Sequence, residues 1–85
     1  IRTPQPFYPP LARQNGWEGT TVLRVEIRAD GTVGAIQILQ STGYKVLDDA
    51  AIEAVRAAQF QPARQNGLPI TSWVEIPVTF RLNRG

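Results

Sequence analysis

A proline inside an otherwise regular strand pattern is the feature that most constrains this chain. Between Ser72 and Leu82 apolar residues alternate with other residues, and one side carries Val74, Ile76, Val78, Phe80 and Leu82. This period of two is typical of a strand with one buried face. Pro77 stands in its middle, and a proline in a central strand would remove a ladder hydrogen bond. We therefore predict that Ser72 to Leu82 is an edge strand.

The same proline predicts which backbone groups of the strand face outward. Successive N–H groups along a strand point to alternate neighbours, so no ladder bond is lost if position 77 points away from its partner strand. The outward groups then include those of Trp73, Glu75 and Thr79. Charge and proline on an edge either protect it from pairing or accompany β-augmentation, in which an extended peptide pairs with the edge. The residues alone leave both readings open, although an outward Trp73 favours binding.

A hairpin is predicted in the first half of the chain. From Thr21 to Arg28, alternate apolar residues indicate a half-buried strand. Asp30-Gly31 follows, and this pair favours a tight primed turn, which requires positive φ angles. A second strand is expected from Val33 to Gln40. Its predicted core residues are Ile36 and Ile38, and its predicted outer residues are Val33, Ala35, Gln37 and Leu39.

Two helices complete the prediction. A short one is expected from about Pro9 to Gln14, because proline is tolerated in a first turn and Asn15-Gly16 supplies a left-handed stop. A longer one is expected over VLDDAAIEAVRAAQF, before Pro62. Its apolar stripe is Leu47, Ala51, Ala54, Val55 and Ala58. Asp48 and Asp49 fall in its first turn, where carboxylates complement the helix dipole.

The predicted order α-β-β-α-β defines an α+β domain. We expect a three-stranded antiparallel sheet with two helices packed on one face and solvent on the other. The first ten residues hold four of the seven prolines, so residues 1–8 are interpreted as the end of a proline-rich linker and residues 9–85 as the domain. PARQNGLPI is read as a turn. The string ARQNG occurs at Ala12 to Gly16 and at Ala63 to Gly67, and we interpret this as coincident turn chemistry.

Composition argues against several function classes. The chain has no cysteine and no histidine, so we predict no metal site, no cofactor and no enzymatic activity. The carboxylates of Asp48, Asp49 and Glu53, and the hydroxyls of Ser41 and Ser72, have no base or second polar cluster to work with. The net charge is +2, with cations and acids interleaved. With Trp73 as the main open-face aromatic and Glu26 and Glu75 opposing phosphate, we also predict no nucleic-acid binding.

A set of short strings along the chain carries a family resemblance. They are Gln5-Pro6, Tyr8-Pro9, Ala12, Gly16, Glu18-Gly19, Asp30-Gly31, Ser41-Thr42-Gly43, Leu47-Asp48, Ala50-Ala51, Phe60, Pro62 and the terminal alternating strand. In order and spacing this set closely resembles the C-terminal domain of TonB-type energy transducers. The resemblance covers nearly the whole chain.

The resemblance implies a location and a function. Such domains are the periplasmic end of an inner-membrane-anchored protein whose N-terminal helix associates with the ExbB–ExbD complex, through a proline-rich linker. They dock the TonB box of outer-membrane receptors as a strand added to their last strand. This contact couples proton motive force to active transport of substrates such as siderophores.

Carried over residue by residue, the resemblance names a partner-binding set. It consists of Gln5, Trp73, Val74, Glu75, Ile76, Val78 and Thr79. Pro77 is expected to interrupt pairing at one step, and Phe7 stands where the family often has polar residues, which leaves receptor choice open. The alternative is a periplasmic scaffold or signalling domain that pairs with itself as a homodimer, or binds another protein, through the same edge.

Overall fold

A computed structural model describes residues 6–83. Its elements are α1 (Pro10–Gln14), β1 (Gly19–Ile27), β2 (Val33–Gln40), α2 (Lys45–Ala57), β3 (Ala63–Gln65), β4 (Leu68–Ile70) and β5 (Ser72–Phe80). β2, β1 and β5, in that order, form an antiparallel sheet, and β3 and β4 form a separate two-stranded sheet. The predicted α+β class and the three-stranded sheet with two helices are confirmed. Residues 1–5, with Gln5 and most of the predicted linker, lie outside the described residues.

The β1–β2 hairpin exists, but its predicted turn is wrong. Arg28 and Thr32 close the loop, with the Arg28 N–H donating to the Thr32 carbonyl and the Gly31 N–H to the Arg28 carbonyl. Gly31 has φ +88°, whereas Asn66 is the one non-glycine residue with positive φ in the described chain. The hairpin therefore uses a longer loop with a single left-handed glycine. Asp30 Oδ1 instead accepts hydrogen bonds from the Thr32 backbone nitrogen at 2.9 Å and from Thr32 Oγ1 at 2.6 Å.

A bulge in β2 changes which of its residues face the helices. Val33 pairs with Ile27 and Ile36 with Val25, with a register shift between these pairs. Directly opposed residues share a face, so Val33 packs against the core and its predicted outward orientation is wrong. Ile38 pairs with the buried Leu23 yet is 46% exposed, because it lies near the end of an outer strand.

The core lies between the sheet and α2. Within the helical stripe Leu47, Ala51 and Val55 are fully buried, while Ala54 and Ala58 are half-buried. α2 ends at Ala57, before the predicted end, and Phe60 enters the core from the following segment with its N–H donating to the Gly31 carbonyl. Neither helix of the described chain has the length and apolar character needed to cross a membrane.

The segment predicted as a turn is a short hairpin. Ala63 pairs with Ile70 and Gln65 with Leu68, and the two residues between have φ +53° at Asn66 and +80° at Gly67. Positive φ at both central residues is the signature of the primed turn that Asn-Gly favours. The first ARQNG string instead spans α1 and its end, so the two copies have unlike structures.

Candidate functional site

β5 forms one edge of the sheet, as predicted. It pairs with β1 from Ser72 opposite Ile27 to Phe80 opposite Gly19, with no register shift, and none of residues 6–83 forms a strand on its other side. The strand ends at Phe80, two residues earlier than predicted. Beyond it the Leu82 N–H donates to a Glu18 carboxylate oxygen at 2.6 Å, which continues the attachment to the start of β1 by a side chain.

The unbroken register supports the predicted orientation of the outward groups. Pro77 lies opposite Val22. Pairs in an antiparallel ladder alternate between hydrogen-bonded and non-hydrogen-bonded, and only the second kind accommodates a residue without an N–H. We infer that the N–H and C=O groups of Trp73, Glu75 and Thr79 also point away from β1, because these residues are an even number of positions from Pro77.

Side chains of β5 divide between the two faces of the sheet. Ile76 is 6% exposed and Val78 is fully buried beneath the helices, with Val74 half-buried beside them. Trp73, Glu75 and Thr79 lie on the open face and are exposed. The predicted partner-binding residues of β5 are thus brought together along one edge. The apolar residues of the set hold the strand against the core, and its open-face residues are accessible.

The open face contains an arginine that the sequence reasoning missed. The Arg24 guanidinium carbon lies 4.3 Å from the centroid of a Trp73 ring, and its Nη1 donates to Gln37 Oε1 at 3.3 Å. Thr20 and Thr79 share a hydroxyl hydrogen bond of 3.0 Å farther along the same face. Alternation along β1 puts Arg24 on the face opposite the buried Leu23 and Val25, and the β1–β5 register brings it to Trp73.

Aromatic residues hold the chain that enters α1 against the far end of β5. The Tyr8 ring meets Phe80 edge-to-face, with centroids 5.5 Å apart and planes at 88°. The Arg13 guanidinium carbon lies 5.0 Å from the Tyr8 centroid, and the Tyr8 hydroxyl donates to the Trp17 carbonyl. The segment preceding α1 is therefore tied to the last residue of the edge strand.

The opposite edge of the sheet, β2, is irregular. Its pairing with β1 has two register shifts, and at the one between Val25 and Ile27 the Glu26 carboxylate accepts the Ala35 N–H at 3.0 Å. An added Cβ on Gly34 would lie 2.1 Å from Glu26 Oε1, so the approach of this carboxylate requires glycine. Bulges of this kind hinder pairing with a further strand.

The two aspartates near the start of α2 have structural roles. Asp48 Oδ1 accepts hydrogen bonds from the Thr42 backbone nitrogen at 2.9 Å and from Thr42 Oγ1 at 2.8 Å. Its Oδ2 accepts a hydrogen bond from the Ser41 hydroxyl. Burial opposes ionisation of Asp48, but these hydrogen bonds outweigh it and hold its pKa below the usual value. Asp49 forms an exposed ion pair with Lys45 at 2.8 Å. Residues 6–83 contain no group of three acidic, histidine or cysteine side chains placed to bind a metal ion.

The profile of one protein family, described as the C-terminal part of Gram-negative bacterial TonB protein, matches residues 4–82. The chain belongs to the TonB C-terminal domain family. Protein tonB2 of Pseudomonas aeruginosa is 42% identical over 83 residues, covering 98% of this chain and 31% of the relative. Protein TonB of Vibrio cholerae is 37% identical over 78 residues, covering 92% of this chain and 32% of the relative. The chain thus spans about a third of these relatives.

Solved TonB domains have the same fold. The solution structure of the Pseudomonas aeruginosa TonB C-terminal domain superposes with a TM-score of 0.83 at 25% identity, covering 100% of this chain and 86% of that one. A Helicobacter pylori TonB C-terminal domain superposes with a TM-score of 0.71 at 28% identity, covering 93% of this chain and 71% of that one. TonB C-terminal domains are non-enzymatic interaction domains, in agreement with the prediction that this chain is not an enzyme.

Proposed function

We propose that this TonB domain docks the TonB box of outer-membrane receptors as a strand added to β5. The observation that carries the proposal is the unbroken β1–β5 register around Pro77, which leaves a regular edge with backbone groups directed outward. Main-chain hydrogen bonds to such an edge supply affinity in β-augmentation, and pockets for alternate side chains supply specificity.

The contrast between the two edges supports β5 as the docking strand. β2 is interrupted by two register shifts, and one of its N–H groups is already bonded to Glu26. β5 has no shift, and its proline removes a donor only at a position that faces outward. An added strand therefore meets donors at Trp73, Glu75 and Thr79 and a gap at Pro77.

Each predicted partner-binding residue has a role in this proposal. Trp73, Glu75 and Thr79 offer backbone groups and open-face side chains, while Val74, Ile76 and Val78 anchor the strand through burial. Gln5 belongs to the segment that enters the domain, and we propose that it contacts the receptor close to the membrane. Tyr8 and Phe80 support this placement, since they bring the entering segment to one end of the docking edge.

The wider role follows from the family. We propose that the domain is the periplasmic end of an energy transducer anchored in the inner membrane and linked there to ExbB–ExbD. Proton motive force would then reach the receptor through the β5 contact and drive transport of substrates such as siderophores. Relatives bearing the name TonB, of which the chain spans about a third, support this assignment.

An NMR titration tests the docking site. The probe is a synthetic peptide containing the TonB box of a receptor encoded in the same genome, and the readout is the amide shifts of the isotope-labelled chain. Shifts are expected to concentrate in residues 73–79 and to spare those on the outer side of β2. Shifts centred on α2, between residues 47 and 58, would overturn the proposal.

A second candidate is self-pairing through the same edge, favoured by the unpaired outer side of β5. In that case the domain is a homodimeric scaffold or signalling module. Sedimentation at increasing concentration distinguishes the two, because a receptor-docking monomer keeps its mass until peptide is added. A stable dimer that dissociates when peptide binds would show that the peptide and the β5 strand of a second copy compete for the same edge.

A further inference from the structure

Arg24 and Trp73 form a contact beside the docking edge. The guanidinium carbon lies 4.3 Å from the centroid of a Trp73 ring, and Arg24 Nη1 also donates to Gln37 Oε1 at 3.3 Å. Trp73 nevertheless remains 41% exposed. The arginine therefore covers only part of the indole, and the exposed part is available to a neighbouring side chain.

The register explains why this contact forms. Arg24 lies directly opposite Glu75, and Trp73 lies opposite Glu26, so the arginine reaches its tryptophan along a diagonal. Long side chains span such diagonals, and a planar guanidinium stacks well on an aromatic face. Although they are opposed, Arg24 and Glu75 do not form an ion pair; among residues 6–83 the ion pair found joins Lys45 and Asp49. The guanidinium therefore contacts the indole and the Gln37 side chain.

We propose that Arg24 and Trp73 form an aromatic shelf that selects a β-branched or aromatic side chain on the open face of the strand docked at β5. Trp73 contacts that side chain, and Arg24 is the positioning residue that holds the indole. This inference rests on the proposed function, since it concerns the strand that adds to β5.

Sheet geometry supplies the first argument for the shelf. A strand beside β5 places alternate side chains on the open face, and the one next to Trp73 has its Cβ within about 5 Å. Aromatic and β-branched neighbours stabilise such a cross-strand pair. Because Arg24 already restrains the indole, less side-chain entropy is lost when the strand docks.

Charge supplies the second argument. The guanidinium covers one face of the indole and carries a positive charge into the neighbourhood of the docked side chain. A lysine or arginine at that peptide position meets a like charge, which disfavours wrong partners. The shelf thus accepts an apolar side chain and rejects a basic one.

Calorimetric titration with the TonB-box peptide tests the selection. Each peptide residue is changed to alanine in turn, against the wild-type chain and against Trp73→Ala, so that the coupling of each position to the indole is obtained. One open-face position is expected to couple by about threefold to tenfold in the dissociation constant. Lysine at that position is expected to weaken binding further than alanine does.

Arginine variants test the positioning role. Arg24→Gln is expected to raise the dissociation constant by about threefold to tenfold and to remove the coupling to Trp73. Arg24→Lys keeps the charge but not the planar stack, and is expected to restore only part of the affinity. The matched control is Arg28→Gln, which removes the same charge from an exposed residue beyond β1 and should leave affinity within about twofold.

A measurement without peptide separates the two proposals. In Arg24→Gln, but not in Arg28→Gln, the Trp73 indole N–H resonance should shift and its heteronuclear NOE should fall. An unchanged indole would overturn the positioning role. Peptide binding without a coupled open-face position would overturn the selection while leaving the docking site in place. A wild-type chain that binds no TonB-box peptide would overturn the proposed function, and the indole measurement would still decide whether Arg24 holds Trp73.

Discussion

Pro77 lies directly opposite Val22 within a β1–β5 ladder that has no register shift. A proline inside a strand is tolerated when the pair it forms requires no hydrogen bond from it. Its position therefore fixes the alternation of the whole strand, and it divides β5 into residues that bond to β1 and residues that face outward. The first prediction tests that division.

Proline substitutions at adjacent positions of β5 should have different effects. Val74→Pro removes an N–H that bonds to β1, so we expect unfolding free energy to fall by about 2 kcal/mol more than in Glu75→Pro. Glu75→Pro removes an outward N–H and should mainly weaken peptide binding. Urea denaturation and calorimetric titration measure the two quantities.

The control for these variants is Glu75→Ala, which removes the carboxylate but retains the N–H. It should bind the peptide more tightly than Glu75→Pro does. Equal losses of stability in Val74→Pro and Glu75→Pro would show that the alternation is assigned to the wrong parity.

The extent to which the sequence predicted the fold depends on whether a signal was local. Alternation predicted β5, β1 and β2 to within two residues, and Pro77 predicted the edge. The bulge at Gly34 was missed because one inserted residue reverses the facing of Val33 without changing the apolar composition of β2. Asp30-Gly31 and Asn66-Gly67 carry equivalent turn signals, and only the second forms the primed turn. The first lies in a three-residue loop closed by Arg28 and Thr32, in which Gly31 alone has a positive φ.

The candidate site was predicted in part for the same reason. Residues within β5 follow from one local pattern, so Trp73 and its neighbours were identified together. Arg24 and Tyr8 contact the strand from distant positions in the sequence, through the β1–β5 register and through Phe80. Contacts of that kind depend on tertiary placement, which a single sequence does not encode in a local motif.

Substitution of the bulge glycine should destabilise the domain. In Gly34→Ala the new Cβ would lie 2.1 Å from Glu26 Oε1, so the carboxylate must leave the Ala35 N–H. Because this bond is exposed and water can replace the carboxylate at the Ala35 N–H, we expect a loss of about 0.5–1.5 kcal/mol in unfolding free energy, measured by denaturant titration.

A double-mutant cycle identifies the cause. Glu26→Ala alone also leaves the Ala35 N–H without its bond to the carboxylate. Adding Gly34→Ala to this variant should therefore lower the unfolding free energy by little more. Additive losses in the double variant would indicate that Gly34 matters for some reason other than the approach of Glu26.

The anchor formed by Asp48 should make stability depend on acid pH. Its pKa in the folded chain lies below the ordinary value, because the bonds from Ser41 and Thr42 outweigh the effect of burial. The ionised folded form is therefore favoured above the unfolded pKa of about 3.9, and this contribution is lost as pH falls through the lower folded value.

Asp48→Asn tests the anchor. The variant should be less stable at neutral pH by about 1–3 kcal/mol, and the difference from wild type should shrink as pH falls below about 4. Thermal denaturation between neutral and acid pH measures this. Asp49→Asn, which alters an exposed pair, is the control and should change stability by less than about 1 kcal/mol. A difference between Asp48→Asn and wild type that is independent of pH would contradict the role given to the carboxylate.

Loss of the Tyr8 ring should loosen one end of the docking strand. Tyr8 contacts Phe80 edge-to-face and carries the Arg13 guanidinium on its ring. Tyr8→Phe keeps the ring and removes the hydroxyl, with its bond to the Trp17 carbonyl, so we expect a loss of about 1 kcal/mol. Tyr8→Ala also removes the ring and should cost about 2 kcal/mol more.

Native-state hydrogen exchange locates the effect. By the alternation inferred from Pro77, the amides of Val78 and Phe80 point toward β1 near the Tyr8 contact. They should exchange faster in Tyr8→Ala, while the amide of Val74 changes little. Tyr8→Phe should preserve the wild-type pattern, because the ring contact remains. Equal acceleration at all three amides would mean that Tyr8 stabilises the domain as a whole and does not specifically secure the Phe80 end of β5.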